Sequence, residues 1–426
     1  MNLVFLVCAI VCHGKFIDFE KDVGGIPGVE DLATAWKNGG LINSTIGAMQ
    51  SGDTLYFPPK EFFIMGGIQA SNLQDIVIHI DATLKYSNDQ KEWPRPDGKH
   101  VAECMHFKNF RNVTFTSTKR KLGTIDGQGA GWWGFPGIGY LEIGENRPRL
   151  LHIEDSQDLL VENIFFKNSP YWTVYINSVD GLVIRFSDID ARRDSKDSHD
   201  TIDMTAFNTD GFDVTGNNVH IHDCTVWNQD DTIAVKDGSA NMLFERINAS
   251  GIGLTIGSIG ASIVNNITFR DCYMHHTYKG IYMKFRAVDH AGAGVISNVL
   301  YENIWMEEPE QWPIWIGPAQ QSDSWNLCAG HPCSICWPSV PFTKCHPSLG
   351  TYANITLRNI TVNNPKMSPG VLLGDSSNPM QNVVFEDVVV NNPGSKPWGN
   401  ESYMCENVNG IAKGRTSPVP PCFKKA

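Results

Sequence analysis

NVHIHDCTV (218–226), NMLFERINA (241–249) and NITFRDCYM (266–274) are one nine-residue phrase written three times. Each copy opens on Asn, alternates apolar and polar residues, turns at a polar sixth position and then resumes with apolar residues. Period-two alternation marks a strand with one buried face. The phrase continues outward in both directions. It recurs as NVTFTSTKR from Asn112, DLLVENIFF from Asp158, NVLYENIWM from Asn298, NITLRNITV from Asn354 and NVVFEDVVV from Asn382. Looser copies are DIVIHIDATL from Asp75 and GLVIRFSDI from Gly181. Several steps between copies are about 23–28 residues with no helical pattern in between, which predicts an all-β solenoid of stacked coils. Each coil would add about 4.8 Å along the axis, and equivalent residues would stack in ladders. Cys224, Ile247 and Cys272 share one phase of successive copies, as an internal stack requires. A β-sandwich would not repeat a single phrase.

The rest of the chain reads as the ends and loops of one such unit, residues 15–426. Residues 28–50 contain GVEDLATAWKN, whose Leu32 and Trp36 predict a short helix capping the first coil, followed by the strand-like GDTLYFPP. Three steps exceed one coil, at 190–208, in the 270s to 290s and at 307–350, and predict loops that wall a groove. The first residues, MNLVFLVCAIVCHG, read as a secretory signal peptide over 1–14, and so as an extracellular protein. No Lys or Arg precedes the apolar run, so a buried first strand is the other reading. Asn-x-Ser/Thr sites at Asn43, Asn112, Asn248, Asn266, Asn354, Asn359 and Asn400 permit glycosylation. Cys328, Cys333, Cys336 and Cys345 crowd a Cys-rich loop insertion around 318–347, and Cys405 and Cys422 bracket the C-terminal tail. Disulfides are the expectation for an exported chain, with a zinc site as the rival for the four-Cys cluster. Cys104, Cys224 and Cys272 read as small buried hydrophobes.

The net charge of −12 argues against nucleic acid and against an anionic membrane as partner. It also makes a densely anionic polysaccharide a less comfortable substrate unless local Lys or Arg offset the field. The acidic stretch 188–203 lacks the spacing of a Ca²⁺ loop and reads as solvated.

Chemistry enters at NTDGFD (208–213) and NQDD (228–231), about one coil apart. Stacking would bring Asp210, Asp230 and Asp231 together on one face. Either motif alone is a turn sequence; both at this spacing point to a site. Three close carboxylates cannot all ionise easily, so one is held protonated and can serve as an acid. Glycosidic hydrolysis needs such a set, with one group protonating the leaving oxygen and others activating water. Asn208 and Gln229 are expected to orient the aspartates. Asp213 reads as structural.

With NTDGFD, NQDD, GLTIGS (253–258) and Lys284 in IYMKF in order, the chain resembles glycoside hydrolase family 28, the polygalacturonase and rhamnogalacturonase group. The likeness reaches upstream through GTIDGQGAGWW (123–133) and RPRLLHIEDSQDLLVENIFFKNSPYWTV (147–174) and covers about 50–400. The resemblance implies a single-stranded right-handed parallel β-helix. It implies that Asp230 is the general acid, that Asp210 and Asp231 position and deprotonate water with inversion, and that Lys284 binds substrate. No cofactor and no metal are expected.

Two departures matter. Polygalacturonases carry His between two glycines where Ile252 lies between Gly251 and Gly253, and their Arg-Ile-Lys stands here as Tyr282-Met283-Lys284. The missing arginine grips a uronate carboxylate with two nitrogens, which Tyr cannot do. The expectation is therefore a secreted, monomeric hydrolase of pectic polysaccharide other than plain polygalacturonate. Lys284, Tyr282, Asn208, Gln229 and Trp315 form its expected substrate-binding set. The alternative is a non-catalytic carbohydrate-binding β-helix. A β-eliminating lyase would need a Ca²⁺ cluster that the sequence does not offer.

Overall fold

A computed structural model describes residues 14–134, 146–193, 206–286, 294–321, 333–334, 349–400 and 402–425, with backbone alone at 320, 321, 333, 334 and 425. Residues 1–13 of the expected signal peptide (1–14) and Cys328, Cys336 and Cys345 lie outside the described residues, and of Cys333 only the backbone is described.

The repeat phrase folds as a parallel β-helix. Each strand pairs in parallel register with the equivalent strand of the next coil, as in Ile263–His275 on Val295–Glu307 and Val295–Glu307 on Thr351–Asn363. The apolar residue after each opening Asn points inward, giving the stack Ile76, Val113, Leu159, Leu182, Val219, Met242, Ile267, Val299, Ile355 and Val383. Two positions on, Phe244, Phe269 and Tyr301 stack ring on ring at 4.7 and 4.6 Å. Cys224, Ile247 and Cys272 lie buried in the predicted stack, as free thiols where they are cysteines.

The opening Asn has its own physical reason. Asn112, Asn218, Asn241, Asn266, Asn298, Asn354 and Asn382 all sit at φ between 50 and 58°, a left-handed corner that Asn and Asp tolerate better than other L residues. Their side chains then bond along the axis: Asn266 Nδ2 donates to Asn241 Oδ1 at 2.7 Å, and Asn354 Nδ2 to Asn298 Oδ1 at 2.9 Å.

The capping helix α1 runs Leu32–Ala48, longer than the short helix expected, with Asp31 Oδ1 accepting from Thr34 N at its start. Its buried face is Thr34, Ala35, Asn38, Gly39, Ile42 and Ile46. Trp36 lies in this helix as expected, at 45% exposure on its solvent side, out of phase with that stripe. At the other end Cys405 and Cys422 form a disulfide. No helix among the described residues is long and apolar enough to cross a membrane.

One outward row of residues matters for function. Parallel register aligns Gln69, His106, His152, Tyr175, Asp213, Ala234, Thr255, Tyr282, Trp315 and Val371 on a single face, one residue per coil.

Candidate active site

The three aspartates meet on this face. Each contributes a carboxylate oxygen lying within 4.8 Å of the others, and the residues are 3, 6 and 2% exposed for Asp210, Asp230 and Asp231. Backbone pairing puts them there: Gly211 N donates to Asp231 O at 2.8 Å and Ile252 N to Asp230 O at 2.7 Å. The tight Asp-Asp turn is pinned by Asn228, whose Nδ2 donates to the carbonyls of Thr209, Asp230 and Asp231. Gly251 packs against that turn so closely that a Cβ would lie 2.2 Å from Asn228 Oδ1. Likewise Gly257, at φ +127°, lets the Lys284 backbone approach to where a Cβ would meet its carbonyl at 2.2 Å.

The carboxylates have different environments. Asp230 is raised from 3.8 to about 7 by burial first and by the charge of Asp231 second. Its Oδ1 accepts from Asp231 N at 2.8 Å and its Oδ2 from Asn208 N at 3.2 Å. Asp210 is pushed well above the usual carboxylate range by burial and then by the Asp213 and Asp230 charges, and its Oδ1 is buried without a hydrogen-bond partner. Asp231 has both oxygens engaged, Oδ1 accepting from Thr255 Oγ1 at 2.7 Å and Oδ2 from Lys284 Nζ at 2.9 Å. Burial pulls the Lys284 ammonium down, but the Asp231 charge outweighs it and the net direction is up. Two raised acids, Asp210 and Asp230, thus sit beside a carboxylate held by a cation, a set that can offer both a proton donor and an acceptor to one sugar linkage.

Of the other expected residues, Asn208 touches Asp230, and Gln229 is buried with its backbone N on Thr209 Oγ1 at 3.0 Å. Tyr282 is 2% exposed, with Lys284 Nζ 4.3 Å and Lys279 Nζ 4.8 Å from its ring centroid. Trp315 is a correction. It is fully buried, donates its indole N–H to Pro318 O at 2.9 Å, and packs with Tyr282, Trp312 and Val371 beneath Ile252, Met367, Trp398 and Met404. It lies on the outward row, but apolar side chains fill that end of the row, so it offers no ring face to a sugar. Trp312 is equally buried.

Sequence reasoning missed three residues here. Lys236 Nζ lies 2.7 Å from Asp213 Oδ1 and 3.7 Å from Asp210 Oδ2, and those two charges raise it despite burial. Thr255 fixes Asp231. Lys279, buried beside Lys284, is lowered to about 7 by burial and then by the Lys284 charge, and donates to Gln311 Oε1 at 2.9 Å. The only sequence signal for them was their place in the coils that stack on the aspartates, Thr255 on a strand and Lys236 and Lys279 just outside one.

The row and its aspartates belong to a recognisable lineage. The chain is 29% identical over 297 residues to an endopolygalacturonase of Emericella nidulans, covering 68% of each. It is 25% identical over 423 residues to a probable rhamnogalacturonase B of Aspergillus fumigatus, covering 95% of this chain and 64% of that one. Among solved structures, the endo-xylogalacturonan hydrolase of Aspergillus tubingensis shares the fold with a TM-score of 0.65 at 19% identity, covering 97% of this chain and 99% of that one. The sequence profile of glycosyl hydrolases family 28 matches residues 58–417, which takes in the whole outward row, and the chain belongs to that family.

Proposed function

We propose that the protein is a secreted, inverting, metal-independent hydrolase of a branched pectic polymer, with plain polygalacturonate a poor substrate. The observation that carries this reading is the buried Asp230, raised to about 7, beside an Asp231 fixed by Lys284 and Thr255. Asp230 donates its proton to the leaving oxygen, Asp210 and Asp231 hold the attacking water, and Asp231, the carboxylate paired with Lys284, takes its proton. The ammonium groups of Lys236 and Lys284 supply the positive charge a metal would bring to this cluster. Both Asp231 oxygens are tied in hydrogen bonds, which suits holding a water better than forming an ester. The oxygen spacing of at most 4.8 Å is nevertheless tighter than the ~6.5–9.5 Å between carboxyl groups typical of inverting pairs, which makes stereochemistry the sharpest test.

Tyr282 stands where a bidentate arginine would grip a uronate. Lys279 and Lys284, both close to its ring, place positive charge there but cannot reproduce that planar fork. Relatives named for polygalacturonate and for rhamnogalacturonan both match this chain, in keeping with a pectic substrate.

Reducing-end release from homogalacturonan, rhamnogalacturonan and xylogalacturonan identifies the polymer, and proton NMR of the first product gives the anomer. The reading expects a product anomer opposite to that of the bond cleaved, with activity unaffected by a chelator. Retention of configuration would overturn the inverting assignment, and release from none of the polymers would favour the binding-module alternative.

A further inference from the structure

The outward row does not stop at the aspartates. Beyond Tyr282 it is filled by the Trp312, Trp315 and Trp398 cluster, so among the described residues it runs on only toward the earlier coils. There Asp213 is followed by Tyr175, His152, His106 and Gln69. Over the last two lies a cavity of about 290 Å³, lined also by Asp97, His100 and Glu103. The His106 position is three coils from Asp213, about 14 Å at ~4.8 Å per coil.

His152, behind this cavity, makes none of the hydrogen bonds a buried imidazole usually makes. It is 8% exposed, and neither ring nitrogen has a hydrogen-bond partner. The closest carboxylate oxygen, Glu103 Oε1, is 3.9 Å from Nδ1, too far for a hydrogen bond. Its ring is stacked between His106 at 4.4 Å and Tyr175 at 4.7 Å. Its burial is of the same order as that of the aspartates, which must themselves meet a substrate. Burial, followed by the His106 and Arg149 charges, lowers it to about 3, so the ring is neutral. A neutral imidazole has one donor and one acceptor, the complement of a sugar hydroxyl. Arg149 adds an unpartnered Nε, while its guanidinium lies 4.9 and 5.0 Å from the Trp172 and Tyr175 ring centroids.

We propose that Gln69 and His106, which line the cavity, with His152 stacked on His106, bind a pyranose unit of the polymer about three coils from the cleavage point. This rests on the hydrolase reading. The site recognises hydroxyl groups and a ring face, and extends the contact made with one polymer chain. A transition-metal ion on His106, His152 and Glu154 is the competing chemistry. The two rings are 2° from parallel, so their lone pairs run side by side and do not converge on one point. Lys108, 3.3 Å from Glu154, already neutralises the carboxylate.

The test is kcat/KM of the full chain on an oligosaccharide series from the polymer it cleaves, for wild type, His106→Ala, His106→Gln and the surface variant His100→Ala. Wild type should show a step in kcat/KM once the oligomer reaches the cavity. The ratio of long to short substrate should fall about tenfold in His106→Ala, recover in part in His106→Gln, and fall several-fold in His100→Ala. A length step untouched by all three variants overturns the inference while leaving the hydrolase reading standing. Stoichiometric Zn²⁺ binding that His106→Ala abolishes also overturns it. Hydrolysis of no oligomer at any length sinks the underlying reading instead.

Discussion

Replacing Asp230 with Asn removes a proton donor and one of three negative charges from a buried cluster, and the two losses act in opposite directions. The folded protein raises this carboxyl from 3.8 to about 7. At about 1.4 kcal/mol per pH unit, ionising it in place costs the folded state about 4 kcal/mol. An unfolded carboxyl titrates near 3.9, so the folded chain holds the proton more tightly. The group's contribution to stability is therefore fully present below about pH 3.9 and is lost as the pH rises toward about 7. Asparagine never ionises and so escapes that loss. Asp210 and Asp231 share the repulsion, so the variant should regain about 2 kcal/mol at pH 8. Against this, its amide nitrogen faces the Asn208 N–H that Asp230 Oδ2 accepts, at a pH-independent cost of about 1 kcal/mol. Melting temperatures measured in parallel should place Asp230→Asn at or below wild type at pH 4.5 and a few degrees above it at pH 8. In the same preparations kcat should fall by roughly 10²–10⁴, the usual share of a general acid. A melting difference that does not change sign or size with pH would refute the charge argument. A kcat within tenfold of wild type would refute the role of Asp230.

Lys236→Met strands the buried Asp213 without its 2.7 Å partner and should cost about 3–5 kcal/mol in thermal or denaturant unfolding; a melt matching wild type would contradict the pairing. Asn266→Ala places a Cβ-bearing residue with no side-chain hydrogen bond at φ 58°, a cost of about 1–2 kcal/mol, whereas Asn266→Gly keeps the corner and loses only the ladder bond. The alanine variant should melt below the glycine variant, and the opposite order would mean the corner does not govern this position. If the chain is exported through a glycosylating host, peptide mapping should find glycans on the exposed Asn248 and Asn400. They should be missing from Asn112, Asn266, Asn354 and Asn359, whose amides donate along the ladders. A glycan on Asn266 in folded protein would count against the ladder.

The coil repeat was legible because its two demands are written in residue types. A left-handed corner selects Asn or Asp, and a half-buried strand selects alternation, so the opening Asn of each phrase marked a corner. The aspartates were legible because they fall one coil apart. Lys236, Thr255 and Lys279 were not, since nothing local distinguishes them: the stacking of coils carries them to the cluster, Thr255 by strand register and the two lysines from turns beside strands. Trp315 failed for a related reason. Its position on an outward strand is visible in the sequence, but Trp398 and Met404, which cover it, arrive from distant turns. The capping helix was legible from Leu32 and Trp36, but its buried face was not, because the face that meets Met65 is small, with Ala35 O accepting from Met65 N and Gly39 against the Met65 carbonyl.

A trough assembled from one side chain per coil has an unusual freedom. Adjacent positions along the face come from residues some twenty or more apart in sequence, on strands whose hydrogen bonds do not depend on what those side chains are. Exchanging the residue at one step, as at Tyr282, changes a single letter of that face and leaves its neighbours' spelling intact. Preference for branch, charge or length can then drift step by step while the proton-transfer centre stays fixed.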